Sequence, residues 1–158
     1  MKAGLDKKLC SKYPKIFAQR HLPMTETAMC WGFDHQDGWY WLVDNLCDSI
    51  QRYVDNRNEG VRIRNKAREE GKEVYSDSDQ PWKKEEEWEV EATQVKEKFG
   101  GLRFYISGGD DYIYGMIDFA EHLSYKICEK CGSTENVEQT KGGWIATLCS
   151  KCMEEAYQ

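Results

Sequence analysis

Two Cys-x2-Cys pairs, Cys128/Cys131 and Cys149/Cys152, stand seventeen residues apart near the end of the sequence. A two-residue gap lets both sulfurs of one tight turn face the same ion. The longer gap lets a hairpin bring the second pair round to complete a tetrahedron. The spacing lies within the range of paired-cysteine zinc sites. Gly132 follows the first pair, where a knuckle favours a residue without Cβ, and Gly142-Gly143 suits a hairpin turn midway. Residues 144–148 read as the returning strand and residues 151–157 favour helix. Knuckle, hairpin and helix would form a treble clef; a zinc ribbon lacking the last helix is the alternative. Four thiolates leave no open coordination position, so the ion predicted here is one structural Zn2+ per chain.

A treble clef also frames the HNH nucleases, which need histidines in the hairpin and beside the second cysteine pair. The histidines here are His21, His35 and His122, and Met153 follows Cys152. Cys30, Asp34, His35 and Asp37 lie close in sequence, but no flanking motif marks them as a nucleophilic centre. The chain reads as non-enzymatic, with no catalytic residues.

Upstream, the pattern is that of an α+β domain over residues 1–127, with the zinc module at 128–158. Leu5, Leu9, Tyr13 and Phe17 have helical spacing up to a break at Pro14, and residues 28–33 are strand-like. Trp39, Leu42, Val43, Leu46, Ile50 and Val54 mark the clearest helix, with Asp37 as its N-cap. Residues 55–87 are highly charged and read as a mobile excursion, with helix possible from Arg62 to Glu70 and a break over residues 76–81. Alternation from Trp88 predicts a strand to Phe99. Gly100-Gly101 then predicts a two-residue turn into a second strand at 102–106, and a helix over 113–127 follows. The expected fold is a small core of helices packed on this β-hairpin or short antiparallel sheet.

That turn would set Lys98 opposite Arg103 and Lys96 opposite Tyr105. Val95, Phe99, Leu102, Phe104 and Ile106 would share the core face, with Glu97 at its margin or buried with a partner. Opposed like charges destabilise a sheet, so the cations must splay, find an internal acid in 85–91, or hold an anion. Lys96, Lys98, Arg103 and Tyr105 are therefore the candidate ligand face; exposed aromatics such as Tyr40 and Trp41 beside Arg and Lys would suit stacking on a base while cations hold its phosphate.

The net charge of −6 disfavours a general nucleic-acid coater, although residues 51–72 carry seven Lys/Arg against four acids. No run is apolar enough to span a membrane, no secretory leader is apparent, and seven cysteines outside a secretory context read as ligands plus buried thiols. The expected compartment is cytoplasm. Residues 26–33, 94–105 and 143–149 resemble a family of small bacteriophage and bacterial proteins, over most of the chain outside roughly 55–87. The resemblance implies a phage accessory protein acting in the host cytoplasm. It suggests binding without catalysis: capture of an anionic nucleotide-type ligand such as a cyclic nucleotide immune signal, in antagonism of host defence. The alternatives are a protein-interaction or inhibitor module against a host protein, and a nucleic-acid-binding regulator.

Overall fold

The computed structural model describes residues 1–72 and 83–156. The first helix, α1 (Ala3–Lys12), stops two residues before Pro14. Pro14 has no amide proton to continue the ladder. Short 3-10 turns carry the chain to β1, which is only Phe33–Asp34. The strand-like run 28–33 is thus mostly a turn, closed by Gly32 at φ +78°.

A further 3-10 turn at Asp37–Trp39 leads into α2 (Tyr40–Glu69), a helix of 30 residues. Asp37 does not cap it; its carboxylate accepts the Lys2 amide proton at 2.7 Å. The buried stripe of α2 runs Leu42, Val43, Leu46, Cys47, Ile50 and Val54, then continues through Asn58, Val61 and Asn65. The helix allowed at Arg62–Glu70 is therefore present, and it runs unbroken from the helix upstream. The break expected at 76–81 lies outside the described residues. Residues 83–90, without regular secondary structure, return along α2 through hydrogen bonds to Asn58 and Asn65.

The main sheet has the order β1-β2-β3, with β2 at Glu91–Lys98 and β3 at Gly101–Ser107. β1 runs parallel to β2, and β2 antiparallel to β3 with an irregularity at Thr93. Val95, Leu102 and Phe104 face a core with Leu9, Ile16, Met29, Trp39, Ile50 and Ile113. Phe17 meets Phe33 and Phe104 edge-on at its centre.

Helix α3 (Asp111–Ser124) is capped by Asp110, whose carboxylate accepts the Ile113 amide proton at 3.0 Å. It lies along the outer edge of β3 and satisfies it. Leu102 N donates to Ser124 Oγ, and Phe104 N to Glu121 Oε1, both at 2.9 Å. A sheet edge that would otherwise be open to another strand is closed in this way. β4 (Val137–Gln139) and β5 (Thr147–Cys149) form a second small sheet, followed by α4 (Ser150–Ala156). No described helix is long and apolar enough to cross a membrane.

The hairpin register differs from the expected one. Val95 pairs with Phe104, Lys96 with Arg103, Glu97 with Leu102, and Lys98 with Gly101. The two turn residues are Phe99 and Gly100, at φ +54° and +75°, both left-handed as a tight hairpin turn requires. Gly101 is instead the first residue of β3, where a side chain would collide with the Tyr125 hydroxyl. The division into faces survives this shift except for Phe99, which sits at the tip with its ring exposed.

Candidate metal centre and the hairpin tip docked on it

Cys128 and Cys131 occupy a knuckle. Its turn closes through Gly132 N to Cys128 O at 2.8 Å and Cys128 N to Ser133 O at 2.7 Å, with Gly132 at φ +81°. Cys149 ends β5 and Cys152 lies in the first turn of α4. Knuckle, hairpin and helix therefore follow in treble-clef order. The four sulfurs all lie within 4.8 Å of one another, and Cys131 and Cys149 are 3.7 Å apart. A tetrahedral ion with metal–sulfur bonds of about 2.3 Å sets its sulfurs about 3.8 Å apart, so the residues fit a metal ion. Soft thiolates in this geometry suit zinc or iron.

The electrostatics agree. Burial opposes ionisation of Cys128, but amide protons of Cys149, Cys131 and Lys130 bring its thiol down to about 7. Burial and the three neighbouring thiols push Cys152 well up. Four thiolates cannot share this space without a cation to neutralise them.

The knuckle is tied to the core. Gly38 N donates to Glu129 O at 2.7 Å, Gln36 N to Glu129 Oε1 at 3.0 Å, and Trp39 Nε1 to Ile127 O at 2.9 Å. Burial raises the pKa of the Glu129 carboxyl against the Gln36 bond. A Cβ on Gly38 would overlap the Cys128 carbonyl oxygen and lie 2.5 Å from that of Glu129.

The hairpin tip rests on the β4–β5 sheet. Gln139 Nε2 donates to Phe99 O at 3.0 Å, and Thr147 Oγ1 to Gly100 O at 2.5 Å. Gly100 N donates to Glu97 Oε1 at 2.5 Å, which gives Glu97 its partner on the core face. Ile145 packs beside Gly100, and the next residue, Trp144, is 79% exposed. Phe99 is 66% exposed, with the Lys98 ammonium 5.5 Å from its ring.

Of the expected ligand face, Lys96, Arg103 and Tyr105 come together on the outer side of the sheet, and Lys98 stands at the tip. The Lys96 ammonium lies 5.7 Å over the Tyr105 ring. Arg103 turns toward α3. It donates to Tyr125 Oη at 3.1 Å and Leu102 O at 2.6 Å, and lies 3.7 Å from Glu121. The Tyr125 bond leads in raising its pKa. The internal partner is thus Glu121, not an acid of 85–91. Two of those acids pair elsewhere: Glu85 with Arg64 and Arg68, and Glu87 with Arg62. Each of the seven cations of 51–72 has a carboxylate within 4.0 Å, so this stretch presents mixed charge.

Sequence periodicity missed Phe99 and Trp144, assigning the first to the core and the second to a strand. The available signal was a Phe-Gly pair able to fill a two-residue turn. No protein-family model, curated protein or solved structure matches this chain. The resemblance to phage proteins gains no support from those comparisons.

Proposed function

We propose that the chain is a non-catalytic binding protein whose tetracysteine centre is a structural zinc site. In this reading the zinc module holds up the hairpin tip, which takes an anionic, nucleotide-type ligand. Phe99 and Trp144 offer stacking surfaces, and Lys98, with Lys96 beside Tyr105, offers charge to phosphate.

The observation that carries the reading is the conformation of Phe99. A bulky residue at φ +54° is a true outlier, disfavoured by roughly 1–2 kcal/mol relative to residues suited to that region. Its ring gains little burial in return. Asn would fit the turn better. Strain of this kind persists where surrounding contacts over-determine it, and Gln139, Thr147 and Glu97 do so here. An exposed aromatic held against its own backbone preference supports use of that ring.

Phe99→Asn tests this. The variant should be more stable than wild type by about 0.5–1 kcal/mol and bind at least tenfold more weakly. The ligand class is found by heat-releasing what co-purifies, weighing it by mass spectrometry, and titrating cyclic and linear nucleotides by calorimetry. Lys98→Glu should likewise lose binding without loss of stability. Undiminished nucleotide affinity in both variants would refute the tip as the site. The protein-interaction reading is favoured by a different observation, the way α2 holds residues 83–90.

A further inference from the structure

Asn58 and Asn65 are buried on α2, at 2% and 7% exposure. Each holds one residue of the returning chain by both backbone groups. Asn58 Nδ2 donates to Trp88 O at 2.9 Å, and Trp88 N donates to Asn58 Oδ1 at 2.7 Å. Asn65 Nδ2 donates to Glu85 O at 2.9 Å, and Glu85 N donates to Asn65 Oδ1 at 3.0 Å. Carboxamides suit this, having a donor and an acceptor side by side.

The spacings match. Seven helical residues rise about 10.5 Å. Three extended residues span about 10 Å. Two helical turns of α2 thus step in register with three residues of an antiparallel extended chain. Arginines on the same helix read the side chains. Arg64 and Arg68 clamp Glu85 at 2.6 and 2.8 Å, and Arg62 meets Glu87 at 3.0 Å. Trp88 lies edge-on to Tyr53, with the Arg57 guanidinium 5.0 Å from its ring. Beneath the segment a cavity of about 360 Å³ opens between Ile16, Val54, Trp88 and Val90.

We infer that the outer half of α2 is a receptor for an extended acidic peptide with a Glu-x-x-Trp pattern, and that residues 85–88 occupy it in cis. The backbone is read without regard to sequence, and the arginines select for carboxylates. The ion pairs of the cis occupant are partly exposed, and the cavity borders its C-terminal end at Trp88. A partner segment of the same pattern with a larger apolar residue would compete. This surface is separate from the hairpin tip, so either can fail without the other.

The probe is a labelled synthetic peptide of residues 83–90, titrated by fluorescence anisotropy against full-length protein. Wild type is compared with Glu85→Ala/Trp88→Ala, in which the cis segment is weakened. The peptide should bind the double variant at least tenfold more tightly than wild type, and Arg64→Glu added to that variant should abolish binding. Glu85→Ala alone, which removes one partly exposed carboxylate, should move affinity in the same direction by a smaller factor. Equal affinity for wild type and both weakened variants would overturn the inference. So would equal binding of a scrambled peptide of the same composition, or indifference to Arg64→Glu.

Discussion

Replacing Gly38 by Ala should loosen the metal module from the core. The added methyl group would overlap the Cys128 carbonyl oxygen and stand 2.5 Å from both Glu129 O and Gly132 N. These are backbone atoms of the knuckle, with no flexible side chain to swing aside. Overpacking of this kind costs about 1–3 kcal/mol. The shift also stretches three bonds that dock the knuckle: Gly38 N to Glu129 O, Gln36 N to Glu129 Oε1, and Trp39 Nε1 to Ile127 O. Each contributes about 1 kcal/mol, more if a buried group loses its partner. The expected loss is about 3–5 kcal/mol, a large share of the stability of a small domain. Urea unfolding followed by circular dichroism measures it, and transfer of metal to a chromophoric chelator should quicken in parallel. Gly115→Ala is the control: nothing lies within 4 Å of its added Cβ, and Ala favours helix over Gly. A Gly38→Ala protein within about 1 kcal/mol of wild type, with unchanged metal release, would refute the account of the docking.

Ser124→Ala should cost about 1–3 kcal/mol, because the buried Leu102 amide loses its acceptor on the edge of β3; chemical denaturation reads this, and a change below about 0.5 kcal/mol would count against it. His35 gives a pH signature. Burial lowers its pKa from 6.5 to about 4, against the upward pull of Gln36 O; the N-terminal ammonium lowers it further, and Asp34 and Asp37 raise it less. The folded state thus resists a proton that the unfolded state accepts. This contribution is whole above pH 6.5 and is lost as pH falls toward 4, by about 3 kcal/mol. His35→Phe keeps a ring against Phe33 and Trp39 and should flatten the stability profile between those pH values by one proton; a variant profile parallel to wild type would contradict the assignment.

The parts legible in the sequence were those with one dominant physical cause. Cysteine spacing located the metal centre because two-residue gaps have few other uses. Apolar periodicity located the first half of α2 and the faces of β2 and β3. Its failures have identifiable reasons. The second half of α2 was legible only as a separate stretch of helix at Arg62–Glu70, because its buried stripe passes through Asn58 and Asn65, which read as polar surface until a backbone partner is seen. The turn was placed one residue late, which shifts the pairing by two and so keeps the faces, because two adjacent glycines suggested it, whereas Phe99 and Gly100 form it and Gly101 makes room for Tyr125. Arg103 was grouped with free cations because Glu121 and Tyr125, eighteen and twenty-two residues on, could not be placed beside it by pattern alone.

The places where this chain departs from local preference are not scattered. Phe99 holds a left-handed backbone with its ring in solvent. Gly38 permits a backbone approach no other residue would allow. Glu129 is a buried carboxyl, and His35 keeps a buried Nε2 without a partner among the described residues. The first three stand directly at the contact between the core and the tetracysteine module, and His35 is adjacent through Gln36, which bonds Glu129. Sequences in which every level agrees give smooth folding, and departures gather where something other than folding is selected. A structural metal serves such a place well. Held by the four cysteines, it would tie the knuckle to β5 and α4 through bonds that do not depend on a large apolar core, so that Thr147 and Gln139 could hold the hairpin tip in a conformation the tip would not choose alone. On this argument a bound metal would act at a distance from any ligand: it would maintain the strain in Phe99, and its removal should relax the tip before it unfolds the core.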